Sequence, residues 1–180
     1  MIPDHLGGHL GFTSMLIPTF NHIVSKYAIK SVLDVGCGPG MYVESMRDIG
    51  LNATGMDIDD RVIGKDYLKQ KSLLDITDES AELVMCIEVA EHIDTEFEDK
   101  VVEKVVSAVE KTLIWTAAVP GQGGIGHINC KDKEEWCSKI ESQGLIRNKD
   151  KEQQLIKYVQ SDYHMGWFTQ NVLYFERPDT

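Results

Sequence analysis

A short β-rich run, Ser31-Val32-Leu33-Asp34-Val35, passes without a spacer into Gly36-Cys37-Gly38-Pro39-Gly40, and helical spacing resumes at Tyr42, Val43 and Met46. A strand that turns this sharply into a helix needs residues without a Cβ, because the backbone takes unusual angles and approaches any ligand closely. In open α/β sheets, ligands bind beyond the carboxyl ends of the strands. The segment therefore predicts both a fold class and a place for a ligand: an α/β sheet with a binding loop after its first strand.

The rest of the chain repeats the alternation of strand and helix. Strand candidates are Ala53 to Ile58, a weaker one at Ser72-Leu73-Leu74 ending in Asp75, Leu83 to Ile87 ending at Glu88, Thr112 to Val119, Leu145-Ile146 and Asn171 to Phe175. Phe97, Val101, Val105 and Val109 mark one helix, and residues 132–142 with Trp136 and Ile140 another. Leu16, Phe20, Ile23, Val24 and Tyr27 mark a helix near the start, with Pro18 in its first turn. Residues 150–160 are charged and ambiguous. With 180 residues, no repeat and no linker, the reading is one domain over 1–180. Residues 1–30 form an N-terminal cap and 31–180 a core. The core is a three-layer sandwich, a mostly parallel sheet with helices on both faces.

The ligand at the glycine loop is narrowed by what the loop lacks. A dinucleotide fingerprint from Gly36 requires glycine or alanine at position 41, where Met41 stands; a phosphate loop requires a lysine that is absent. Instead, Asp34 sits inside the strand end, which suits a cationic ligand better than a pyrophosphate. Asp57 closes the second strand, where an acid can accept hydrogen bonds from both ribose hydroxyls. Ile58 can pack on an adenine face, and Asp75 can accept from an adenine amino group. The pattern describes a pocket for a ribonucleoside with a cationic tail and no phosphates.

Four blocks, Val32 to Gly40, Gly55-Met56-Asp57-Ile58, Leu74-Asp75-Ile76 and Leu83 to Ile93, stand in an order and spacing that resemble the class I S-adenosylmethionine-dependent methyltransferases. The resemblance implies a seven-stranded sheet in order 3-2-1-4-5-7-6 with strand 7 antiparallel. It implies S-adenosyl-L-methionine as cofactor and S-adenosyl-L-homocysteine as product. It implies that Gly36, Cys37, Gly38 and Gly40 pass close to the methionine half, and that Asp34 favours its ammonium. Asp57 would hold the ribose diol, Ile58 would flank the adenine, and Asp75, with Ile76 beside it, would bind its amino group. Cys86, Ile87 and Glu88 would line the carboxypropyl side. A softer resemblance, carried by Pro120 to Asn129, Trp136 and Trp167 to Leu173, is to small bacterial and phage methyltransferases.

Charge and composition restrict the acceptor. Eighteen basic against 29 acidic residues give a net charge of −11, which repels phosphate backbones and makes nucleic acid a poor partner. No Asp/Asn-Pro-Pro-aromatic block follows the fourth strand and no Pro-Cys nucleophile is present, which weakens base methylation further. No stretch approaches 18 consecutive apolar residues, so no membrane span is expected. Cys37, Cys86, Cys130 and Cys137 form no framework; with no signal-like start, they point to a cytoplasmic protein. A small-molecule or sugar hydroxyl fits best. A protein side chain, or a non-catalytic module acting through a partner, are the alternatives.

Methyl transfer to a hydroxyl requires removal of its proton, and histidine titrates in the right range. His127, in the glycine-rich loop after the fifth strand, is the first candidate for a general base; Glu91 and His92, after the fourth strand, are further candidates. His5, His9 and His164 could reach the same cavity. His5 and His9 are spaced four apart, but no third ligand is spaced to join them, so no metal site is expected.

Overall fold

A computed structural model of the chain describes residues 15–60, 64–162 and 165–178. Seven strands form one sheet: β1 (Ser31–Val35), β2 (Asn52–Asp57), β3 (Leu68–Gln70), β4 (Ala81–Ile87), β5 (Val109–Thr116), β6 (Ile146–Arg147) and β7 (Leu173–Glu176). Their order is β3-β2-β1-β4-β5-β7-β6. All pairings are parallel except those of β7, which runs antiparallel to both β5 and β6. This is the topology the resemblance implies.

Among the described residues, six α-helices cover the sheet: α1 (Ile17–Lys26), α2 (Met41–Asp48), α3 (Glu98–Ser107), α4 (Lys133–Ser142), α5 (Lys149–Asp162) and α6 (Gly166–Asn171). Alternation along β1 divides the core. Leu33 and Val35 pack with Val101, Val105, Trp136 and Ile140 of α3 and α4. Val32 packs with Phe20, Val43, Leu155 and Phe168 of the helices on the other face. Successive strand residues point to opposite faces, so a strand buried on both sides reads as continuous apolar sequence. Asp34 interrupts that run and is itself buried.

Several elements differ from their sequence reading, each for a local reason. β3 is Leu68–Gln70, and Leu73–Asp75 is a 3₁₀ turn, because the Ser72 hydroxyl accepts the Leu74 N–H at 3.2 Å and draws the backbone out of the extended state. The Phe97-to-Val109 periodicity outruns its helix: Val109 is the first residue of β5. The ambiguous segment at 150–160 lies in α5. There Leu155 and Val159 supply the buried stripe, and Glu152, nearly fully buried, is neutralised by Lys133 at 2.7 Å and Arg147 at 2.8 Å. Trp136 is core, packed on Trp115 with ring centroids 5.4 Å apart. Among the described residues, no helix is long and apolar enough to cross a membrane.

Candidate active site

The carboxyl ends of β1, β2, β4 and β5 converge on one edge of the sheet. At β1 the chain turns through Gly36–Gly40, and the Gly36 and Cys37 N–H groups both donate to the Met56 carbonyl, at 2.8 and 3.0 Å, stitching the turn over the end of β2. Gly36 has φ +76°, and a Cβ there would lie 2.4 Å from Val89 Cγ2, so the turn presses directly on the loop after β4. Gly38 has φ +51°, yet a Cβ there would meet nothing within 4 Å. Its surface is open to a ligand. At Gly40 the constraint is space, since a Cβ would come within 2.6 Å of Leu68 Cδ1.

Asp57 holds this turn as well as facing it. Its Oδ2 accepts the Gly38 N–H at 2.7 Å and its Oδ1 accepts the Asp59 N–H at 2.9 Å. Asp34 is 2% exposed, and its Oδ2 has no hydrogen-bond partner. Burial, and then the charge of Asp57, push its carboxyl up to about 7. A buried acceptor without a partner is costly unless a ligand completes it. Ile58, the residue expected on the adenine face, is 61% exposed. An open glycine surface, an orphaned buried carboxyl and an exposed apolar side chain beside Asp57 fit a nucleoside with a cationic tail.

The other expected cofactor contacts are placed less directly. Asp75 is exposed on its 3₁₀ turn. Ile76 is buried in the core beside α3, with its carbonyl accepting Lys104 Nζ at 2.9 Å. Cys86 is fully buried and Cys37 half-buried, and burial pushes both thiols well up. Neither is a reactive thiolate.

Beyond β4, Glu88 takes φ +53°, a left-handed conformation that a side-chain-bearing residue adopts at a cost and that often marks functional sites. Its N–H is held by the Thr116 carbonyl at 3.1 Å and the Thr116 hydroxyl at 2.9 Å. Its carboxylate accepts from Gln122 Nε2 at 2.7 Å and Asn171 Nδ2 at 3.1 Å, and Asn171 also donates to Gln122 Oε1 at 2.8 Å. Gln122 and Asn171 were missed from the sequence. Gln122 lies in the loop after β5 and Asn171 ends α6; both fall within the stretches that carry the softer resemblance, but nothing in the sequence joins them to Glu88.

Glu91 follows on a 3₁₀ turn, Ala90–His92, and is completely buried. Its backbone carbonyl accepts both the Ile128 and Asn129 N–H groups at 2.9 Å, which ties the loop after β5 to the loop after β4. Its carboxyl is closed off from solvent, with the backbone of Glu91 and Ala118 and the Glu88 carboxyl beside it. Burial first, and the charge of Glu88 second, push this carboxyl up to about 9. His127 Nε2 stands 3.9 Å from Glu91 Oε1, and the His92 and His127 rings meet edge to face at 4.9 Å. Gly124 makes room for His127, since a Cβ there would lie 2.2 Å from its Nε2. The three residues proposed from sequence for proton transfer are thus brought together. His5, His9 and His164 lie outside the described residues.

The model of the methyltransferase domain family matches residues 20–109, half of the chain. The ubiquinone biosynthesis O-methyltransferase of Glaesserella parasuis is 31% identical over 84 residues, 36% of this chain and 35% of that protein, so the match spans about a third of that relative's length. Magnesium protoporphyrin IX methyltransferase from Synechocystis, solved with bound S-adenosylmethionine, superposes with a TM-score of 0.65 at 16% identity, over 92% of this chain and 79% of that one. The N-methyltransferase NodS from Bradyrhizobium japonicum, solved with S-adenosylhomocysteine, gives 0.62 at 15% identity, over 90% and 85%. At these identities the structural likeness is one of fold, and it agrees with the family match and with the cradle at β1 and β2. The chain belongs to the methyltransferase domain family, in its class I, S-adenosylmethionine-dependent form.

Proposed function

We propose that this protein transfers a methyl group from S-adenosylmethionine to a hydroxyl of a small-molecule acceptor, sugars included. The observation that carries the reading is the contact between the two halves of the site. The glycine turn packs on Val89, and Val89 lies between Glu88 and the Glu91-His92 pair that meets His127. A binding cradle and a proton-accepting cluster therefore share one edge of the sheet.

When bound, the cofactor supplies an electrophilic methyl group on a sulfonium. The residues do the rest by holding and orienting. Asp57 takes the ribose hydroxyls while keeping the Gly38 turn in place. Asp34 faces the ammonium, Gly38 leaves room for the backbone approach, and Ile58 covers the adenine. Positioning of a nucleophile at about 3 Å from its target accounts for most of the acceleration such sites achieve. His127 takes the hydroxyl proton. Its Nδ1 lies 3.3 Å from the Gln122 carbonyl, which places the ring proton on Nδ1 and the lone pair on Nε2.

Oxygen as the accepting atom is supported by this cluster, since an amine needs no such base once neutral, and by the name of the Glaesserella relative. The exposed Ile125 and Ile128 on either side of His127 give the acceptor an apolar edge to rest on. Residues 1–180 act as one domain in this reading. The protein works in the cytoplasm, in keeping with four cysteines that form no disulfide.

The test is turnover. Incubation with methyl-labelled S-adenosylmethionine and a panel of hydroxylated small molecules is expected to yield S-adenosylhomocysteine and a methyl ether. His127→Ala is expected to lower turnover by about 10²-fold or more, the usual contribution of a general base, with affinity for S-adenosylhomocysteine unchanged. Full activity in that variant removes His127 from the role.

A further inference from the structure

We propose that Glu79 is a positioning residue for base recognition: bridged to Lys71, it fixes the Asp75 turn relative to Asp57 and so makes the site select adenine over hypoxanthine. The inference rests on the reading of Asp75 as the partner of the adenine amino group.

The residues assigned to the two ends of the nucleoside lie on different segments. Asp57 and Ile58 stand at the end of β2, while Asp75 and Ile76 stand at the end of the 3₁₀ turn Leu73–Asp75. Asp75 is exposed. A carboxylate on an exposed turn discriminates between bases only if the backbone beneath it is held in place.

On the ribose side, the end of β3 does the holding. Gln70 is the register partner of Asp57, and the Lys71 N–H donates to the Asp57 carbonyl at 2.8 Å. Gln70 Nε2 donates to the Ile58 carbonyl at 3.1 Å. Lys71 therefore moves with Asp57. On the base side, the Ser72 hydroxyl caps the 3₁₀ turn, and Lys104 Nζ of α3 holds the Ile76 carbonyl at 2.9 Å.

Glu79 joins the two sides. Its Oε1 accepts from Lys71 Nζ at 2.6 Å, and its Oε2 accepts the N–H of Thr77, two residues past Asp75, at 3.1 Å. Lys69 Nζ lies farther off, 3.4 Å from Oε1. One carboxylate thus takes a donor from the end of β3 with one oxygen and a donor from the segment after the 3₁₀ turn with the other. Burial alone would raise this carboxyl, but the Lys71 ammonium and the Thr77 N–H outweigh it and hold the group down at about 2. The bridge is therefore ionised throughout the neutral range. The Lys71 and Glu79 side chains are 23% and 12% exposed, so solvent and salt screen this pair less than an open surface pair.

The chemistry of the base makes this placement readable. The exocyclic amino group of adenine donates, and a carboxylate accepts; hypoxanthine carries a keto oxygen at the same place, which also only accepts. A site built for the donor rejects the ligand that lacks it, because both oxygens are then left without a proton between them. A bridge that only stabilised the loop would weaken both ligands alike when cut. A bridge that positions Asp75 loses the discrimination.

The experiment titrates the full chain in a calorimeter with S-adenosylhomocysteine and with S-inosylhomocysteine, its hypoxanthine counterpart. The unsubstituted chain is expected to prefer the adenosyl ligand roughly tenfold or more. Glu79→Gln removes the charge and keeps the shape. Lys71→Met cuts the same link from its other end and leaves the backbone N–H on Asp57. Each is expected to bring the two affinities within about threefold of one another, chiefly by weakening the adenosyl ligand. Thermal melts report whether each variant is folded, and either folded variant decides the matter. Retention of the full adenosyl preference, or an equal loss for both ligands, overturns the positioning role. Asp75→Ala tests the reading beneath it. Preference kept in Asp75→Ala but lost in Glu79→Gln overturns Asp75 as the amino partner and leaves the bridge standing; the reverse pattern overturns the bridge alone. Equal affinities in the unsubstituted chain overturn both.

Discussion

Asp34 and Glu91 are both buried carboxyls, and both keep their protons into or beyond the neutral range because burial penalises the charge. For Asp34 the consequence can be measured. Its folded value, about 7, lies above the ordinary 3.8, so the ligand-free fold binds an extra proton between those values. By linkage, that contribution to stability is complete below the lower value and is lost as pH rises through the upper one. A ligand ammonium reverses the preference, since it favours the ionised carboxylate. Binding of S-adenosylhomocysteine at pH 6 is therefore expected to release close to one proton, and affinity to rise up to about tenfold per pH unit below the folded value. Titrations at pH 6 in buffers of different ionisation enthalpy measure the release; none, with an affinity flat from pH 6 to 8, contradicts the assignment. The sequence showed that Asp34 and Asp57 stand at strand ends. It did not show that Asp57 spends both oxygens on backbone N–H groups, because those bonds depend on how the turn folds over β2.

Elements rather than residues explain which glycines matter and how. Gly36 and Gly38 share a turn and a positive φ, but they differ in surroundings. Gly36→Ala drives a Cβ into the branched tip of Val89 and is expected to destabilise the fold by about 1–3 kcal/mol, as overpacked sites do. Gly38→Ala meets no neighbour and is expected to cost only about 1 kcal/mol, the conformational penalty, while lowering affinity for S-adenosylhomocysteine at least tenfold. Thermal melts with matched calorimetry separate the two; equal losses of stability with equal affinities would refute this division. Most elements were legible because their apolar periods are clean, as at Val101-Val102-Val105-Val106. The failures have physical causes. A serine cap replaced a strand at 72–75, and α5 hid its apolar stripe among charges that Lys133, Arg147 and Glu152 satisfy in pairs. The meeting of His127 with Glu91 and His92 was not legible as geometry, since it is made by hydrogen bonds between two loops 30 and more residues apart.

For the whole molecule, seven strands in order β3-β2-β1-β4-β5-β7-β6 bring the cradle and the proton-accepting cluster to one edge. The central claim is that this edge holds a nucleoside with a cationic tail in preference to a dinucleotide. Its most direct test is calorimetric titration of the purified chain with S-adenosylhomocysteine, with the nicotinamide dinucleotide as control and Asp57→Ala as comparison. The account predicts one site per chain with a dissociation constant on the order of micromolar, about −8 kcal/mol, no dinucleotide binding, and at least a tenfold loss in Asp57→Ala. Silence with S-adenosylhomocysteine, or preferential binding of the dinucleotide, would contradict it.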